Sequence, residues 1–105
     1  MKARLFIKNI EIGNVELEIV DKFMGVLSGQ LNSNCNYDNF KEKILNQCDE
    51  KGISNTTDFN FKLILENGYE LTPEGGIGII HIREFIDEIL VETAGNDIEN
   101  IKNYG

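Results

Sequence analysis

Alternating hydrophobic and polar residues dominate the first third of the chain and predict half-buried β-strands. Apolar residues alternate over 3–7, and their parity switches after Asn9, which indicates a bulge or a sharp twist. A second alternation covers residues 15–20, and Gly13-Asn14 before it has the composition of a two-residue hairpin turn. The segment Phe23–Leu31 completes three predicted strands.

Residues 37–51 form the one predicted helix. Apolar residues three and four positions apart gather on one face: Tyr37, Phe40, Ile44, Leu45 and Cys48. Asn36 can cap its start, and Gly52 follows its end where a left-handed residue is favoured. The opposite face is expected to be solvated and carries Lys41, Glu42, Asn46 and Asp49.

Strand patterns resume in the second half of the chain. Residues Phe59–Leu65 alternate, and Asn67-Gly68 predicts a tight turn onto 69–72. Residues 77–82 are apolar at both parities except for Gly78 and His81, which indicates a strand buried on two faces.

Residues 83–94 fit both a helix and a strand. Phe85, Ile86, Ile89, Leu90 and Thr93 would line one stripe of a helix, whereas Phe85, Ile89, Val91 and Thr93 would line one face of a strand. The β-branched run and the short connection favour a turn followed by a strand over 88–94. The periodicity leaves both alternatives open.

Together these elements predict an α+β fold: a mostly antiparallel, curved sheet of six to seven strands covered by the helix at 37–51. Residues 1–95 are expected to form one globular domain, and residues 96–105 a loosely ordered tail. The core is expected to contain most of the phenylalanines: Phe23, Phe40, Phe59, Phe61 and Phe85.

Charge separates the two halves of the chain. The 105 residues carry a net charge of −8. Residues 1–57 have eight acidic and seven basic side chains, whereas residues 58–105 have ten acidic and three basic ones. This balance disfavours binding to nucleic acid or to an anionic membrane, both of which require clustered Lys and Arg. It favours a cationic partner for the second half.

The remaining composition points to the cytoplasm. The N-terminal segment lacks the sustained apolar stretch of a signal peptide, and no apolar run approaches the ~20 residues of a spanning helix. Cys35 and Cys48 are too far apart to form a disulfide if the intervening residues are helical, so we expect two free thiols in a reducing compartment.

A group of carboxylates is the candidate binding site. Glu84, Glu88 and Glu92 recur every four residues, a spacing that places them on one side of either a strand or a helix. Nearby acidic residues extend the group: Asp87, Glu66, Glu70 and Glu74. The functional interpretation is a docking surface for Lys and Arg of a protein partner, and the alternative is an ordinary solvated face that maintains solubility.

Chemistry of other kinds has little support in the sequence. His81 is the single histidine, and no local motif places a nucleophile or carboxylate beside it, so a hydrogen-bonded core histidine is favoured over a catalyst. The carboxylates lack calcium-binding spacing, and one His with two separated Cys makes no zinc set. We therefore expect no enzyme activity, no metal and no cofactor.

The stretch Pro73-Glu74-Gly75-Gly76-Ile77-Gly78-Ile79, leading into Glu88-Ile89-Leu90-Val91-Glu92 and Ala94-Gly95 within a small acidic one-helix chain, resembles bacterial immunity proteins of toxin–immunity systems. Contact-dependent growth inhibition is the nearest type. The resemblance implies a cytoplasmic inhibitor that binds a cognate toxin domain, often a basic nuclease. Two other hypotheses stand beside it: a self-associating interaction module, and a small ligand-binding domain or enzyme that uses His81.

Overall fold

An antiparallel pair opens the fold, in a computed structural model that describes residues 1–55 and 59–104, the side chains of 102–104 excepted. Strands β1 (Lys2–Ile7) and β2 (Ile10–Glu16) meet at a turn in which Lys8 has a φ of 57°. The switch of apolar parity after Asn9 thus marks a hairpin turn, and the prediction of a turn at Gly13-Asn14 is wrong. Gly13 instead lies inside β2, where a Cβ atom would collide with the carbonyl oxygen of Asn32 on the next strand.

The sheet bends where β2 gives way to β3 (Glu18–Asp21). Both strands pair with the same neighbour, β4 (Val26–Ser33), so they are successive parts of one bent strand. Gly29 of β4 lies opposite the break, and a Cβ atom there would overlap the carbonyl oxygen of Glu16. The predicted third strand, Phe23–Leu31, corresponds to β4 and begins three residues later, at Val26, because residues 22–25 form the turn.

The helical region consists of two segments rather than the single predicted helix. A 3₁₀ helix at Cys35–Asn39 precedes α1 (Lys41–Lys51). The side chain of Asn34, rather than that of Asn36, caps the first segment by accepting a hydrogen bond from the Asn36 N–H at 2.9 Å. The C-terminal prediction is confirmed, since Gly52 ends α1 with a φ of 83°.

The second half of the chain completes the sheet with β5 (Ser54–Asn55), β6 (Phe61–Leu65), β7 (Ile77–His81) and β8 (Ile89–Thr93). The order is β5-β7-β8-β4-β2-β1-β6, with β3 also on β4, and every pairing is antiparallel. The sheet curls into a half-barrel, and α1 packs against β5 and β7. The predicted α+β class and the curved sheet with a covering helix are confirmed.

The core is built from buried side chains of the strands and of α1. It includes Leu5, Leu63 and Val91 from three strands, and α1 contributes its predicted apolar face through Ile44 and Cys48. Among the phenylalanines, Phe61 is buried and Phe40 and Phe59 pack partly against the core, but the expectation is wrong for Phe23 and Phe85, which are exposed.

A second helix, α2, covers Ile98–Tyr104, within the segment that the sequence predicts as a tail. Ile98 and Ile101 lie three residues apart and are both buried in the core. This spacing places them on one face of the helix, which anchors the segment.

Candidate partner-binding surface

The connection between β7 and β8 exposes several large apolar side chains. The two strands end at the pair His81–Ile89, and residues 82–88 project beyond it. Phe85 is 59% exposed, and Ile82 and Ile86 are also exposed. Leu90, on the outer face of β8, continues the group. Large apolar side chains exposed close together in this way are typical of a protein interaction site.

Four of the seven predicted acidic residues are interspersed with these apolar residues along the chain. Glu84, Asp87 and Glu88 lie in the connection, and Glu92 follows Leu90 on the outer face of β8. All four are exposed, and none forms an ion pair with any cation among the described side chains. We call this group the 82–92 surface; it comprises Ile82, Glu84, Phe85, Ile86, Asp87, Glu88, Leu90 and Glu92.

Backbone hydrogen bonds hold the connection in one conformation. The N–H of Phe85 donates to the Ile82 carbonyl at 3.0 Å, and the N–H of Glu88 donates to the Phe85 carbonyl at 2.9 Å. The first of these closes a short 3₁₀ turn at Arg83–Phe85. The apolar side chains are therefore presented on a folded turn rather than on an extended loop.

His81 fixes the same connection from inside the core. Its Nε2 lies 2.7 Å from the carbonyl oxygen of Ile86, and its Nδ1 lies 2.7 Å from the hydroxyl of Tyr37. Because a carbonyl only accepts, Nε2 carries a proton, and in the neutral imidazole Nδ1 then accepts from the Tyr37 O–H. Both rings are buried, and burial raises the pKa of Tyr37. Cys48 lies beside the pair, since its Sγ is 3.4 Å from the His81 backbone nitrogen.

Arg83 clamps the connection to helix α1. Its guanidinium donates to Asp49 at 2.8 Å, to Asn46 at 2.7 Å and to Glu42 at 3.3 Å. The hydrogen bonds to Asp49 and Glu42 raise the pKa of Arg83. The helix face predicted to be merely solvated is thus the anchor for this turn. These bonds also direct Arg83, the single cation of the connection, toward α1 and away from the carboxylates of the connection itself.

The other predicted acidic residues lie elsewhere. Glu74 is near Gly95, with its N–H donating to that carbonyl at 3.2 Å, at the opposite end of β7 and β8. Five residues per strand separate the two ends by about 15 Å. Glu66 follows β6 beside Lys2, and Glu70 forms an isolated bridge with Ile64 of β6. The structure therefore distributes the seven carboxylates over more than one region.

Sequence reasoning found the acidic residues of the 82–92 surface but missed its apolar centre. Phe85 was assigned to the core because it fits the apolar parity of both a helix and a strand. In the 3₁₀ turn neither periodicity applies, so Phe85 points outward. The available signal was composition: Phe85 and Ile86 lie between acidic residues on both sides.

Comparison of the chain with protein-family models, with curated proteins and with solved structures finds no match in any of the three. Among the described residues, no helix has the length and apolar character needed to cross a membrane. Within the same residues, no three His, Cys, Asp or Glu side chains cluster as metal ligands would.

Proposed function

We propose that this protein is an immunity-type inhibitor that binds a cationic toxin domain in a stoichiometric complex, with no turnover. The observation that supports it is the 82–92 surface, in which an exposed aromatic side chain lies among carboxylates that have no cationic partner within the described part of the chain. An aromatic centre inside a polar rim is the usual composition of a binding hot spot.

The physics of the site matches a basic partner. Unpaired carboxylates on a chain of net charge −8 attract a cationic domain and accelerate its association. The apolar centre then provides the slow dissociation, since area buried around Phe85 is removed from water. The bonds to His81 and Arg83 hold the turn before binding, so little conformational entropy is lost on complex formation.

The experiment uses the reading frame adjacent to that of this chain. Its terminal domain is expected to be basic, to arrest growth when expressed alone, and to become harmless when this chain is co-expressed. With the purified domain, Phe85→Ala should weaken binding at least about 30-fold, as hot-spot truncations do.

Ile10→Ala provides the matched control, because Ile10 is also a half-exposed apolar residue but lies on the β1–β2 hairpin. This variant should bind like the wild type. Failure of the terminal domain to bind at low salt, or equal weakening by the two substitutions, would contradict the proposal.

Self-association is the second candidate, favoured by the same exposed apolar side chains. It requires two copies of net charge −8 to approach, so it should strengthen as salt screens their repulsion. Sedimentation at two salt concentrations separates the candidates: a dimer favoured by high salt supports self-association, and a monomer at both supports the inhibitor.

A further inference from the structure

A second apolar group lies at the β3–β4 turn, outside the 82–92 surface. Phe23 is fully exposed, and Met24 and Val20 are each about two-thirds exposed, at 65% and 64%. Ile19 of β3 adds a further exposed apolar side chain. Phe23 makes no contribution to the core, so folding alone gives no reason for an aromatic residue at this position.

Hydrogen bonds hold this turn too. The N–H of Met24 donates to the Asp21 carboxylate at 3.0 Å, and the Met24 carbonyl accepts from the N–H of Gly95 at 2.9 Å. The Gly25 carbonyl accepts both from the backbone N–H of Asn96, at 3.1 Å, and from its side-chain amide, at 2.8 Å. Gly25 has a φ of 63°, which favours glycine. The exposed residues are thus presented on a turn pinned to the segment after β8.

The two apolar groups lie at opposite ends of strands β4 and β8. The Met24–Gly95 bond joins the turn to the far end of β8, and residues 82–88 lie beyond the near end. The seven residues from Ile89 at the near end to Gly95 span roughly 20 Å in extended conformation. A standard interface covers about 800 Å² on each partner, or about 28 Å across, so one partner can contact both groups.

Carboxylates lie between and beside the two groups. Glu18 of β3 and Glu92 of β8 are both paired with Ser28 of β4, so they lie on the same face, about 10 Å apart. Both are exposed, and Asp97 follows the Asn96–Gly25 contact. A second copy would bring these same carboxylates against each other, whereas a cationic protein would neutralise them.

We propose that the β3–β4 turn is a second anchor, and that Phe23 inserts into an apolar pocket of the same cationic protein partner that contacts the 82–92 surface. This inference rests on the proposed function. We define the partner by its chemistry. It has a basic surface that covers Glu18 and Glu92 of this chain, and an apolar recess for Phe23 about 20 Å from the one that receives Phe85.

Photo-crosslinking tests the two contacts separately. The probe is the basic terminal domain encoded by the adjoining reading frame, added to full-length protein that carries p-benzoylphenylalanine in place of Phe23, Phe85 or Lys8. Lys8 is exposed at the β1–β2 turn and is the control position. We expect cross-links from positions 23 and 85, and none from position 8. Phe23→Ala should weaken the affinity about 30-fold, with an unchanged melting temperature because the side chain is fully exposed.

Each other outcome would contradict a specific part of the proposal. Cross-linking from position 85 alone, with wild-type affinity for Phe23→Ala, would overturn the second anchor and leave the proposed function intact. Absence of cross-links from both positions would overturn both. Cross-links from position 23 to another copy of this chain, with a dimer in sedimentation, would assign the turn to self-association and reject the cationic partner.

Discussion

Tyr37→Phe is the substitution that most sharply tests how the candidate surface is held. It removes a single oxygen, the donor to Nδ1 of His81 at 2.7 Å, and leaves both rings in place. Because Tyr37 and His81 are each 1% exposed, bulk water does not reach Nδ1 to replace the lost donor. A buried acceptor without a partner costs about 1–3 kcal/mol. For a chain of this length the melting temperature changes by about 5 °C per kcal/mol, so we expect a fall of about 5–15 °C.

Urea and thermal unfolding monitored by circular dichroism measure this effect. Tyr69→Phe is the matched control, since the Tyr69 hydroxyl accepts from the Asn100 amide at 2.9 Å at an exposed position where water can substitute. It should change the free energy of unfolding by less than about 1 kcal/mol. Equal stability of the two variants would refute the structural role of the Tyr37–His81 bond.

Three further predictions concern the same framework. Burial raises the pKa of Tyr37, so the unfolded state loses the hydroxyl proton at a lower pH than the folded state does. The free energy of unfolding should therefore keep this contribution below pH ~10 and decrease as the pH rises above it. Urea unfolding at several pH values should show a smaller decrease for Tyr37→Phe. Gly25→Ala should destabilise the protein by at least about 1 kcal/mol in the same assay, because its φ is 63° and a Cβ atom would collide with the Asn96 backbone, whereas Gly52→Ala, with open space around it, should cost less. Arg83→Gln should speed hydrogen exchange at the amides of residues 82–88 without changing exchange in the central strands, and unchanged exchange throughout would contradict the clamp.

The regular parts of the fold were predictable because local signals agreed with the tertiary structure. The apolar face of α1, the left-handed residue at Gly52 and the tight turn at Asn67-Gly68 each depend on a few neighbouring residues. Gly68 has a φ of 93°, and the Leu65 N–H donates to the Tyr69 carbonyl at 2.8 Å across that turn. Such features appear directly in sequence.

The sequence-based predictions failed where a contact between residues far apart in sequence decides the structure. Gly13 has the composition of a turn, but its lack of a side chain serves the close approach of Asn32, nineteen positions later in the sequence. Helix α2 becomes stable through the burial of Ile98 and Ile101 rather than through local propensity.

The candidate site was only half predictable for the same reason. Spacing identified its carboxylates, but Glu84 lies in a 3₁₀ turn and Glu92 in a strand, so the four-residue period does not describe their arrangement. Phe23 and Phe85 were assigned to the core because hydrophobicity alone cannot separate a core position from an interface. Two bonds that fix the connection presenting Phe85 join residues far apart in sequence: Arg83 binds Asp49, and Tyr37 holds His81, which in turn binds Ile86.

The central claim is that the carboxylates of the 82–92 surface attract a cationic protein. The most direct test is the association rate constant with the basic terminal domain of the adjoining reading frame, measured by stopped flow from low to high salt. Replacing Glu84, Asp87 and Glu88 with their amides should slow association at low salt by about tenfold and flatten the salt dependence. The same charge change at Glu66 and Glu70, which lie beside β6 and outside both proposed contact regions, should have a clearly smaller effect per carboxylate. Equal rates for the wild type and the first variant would contradict the claim.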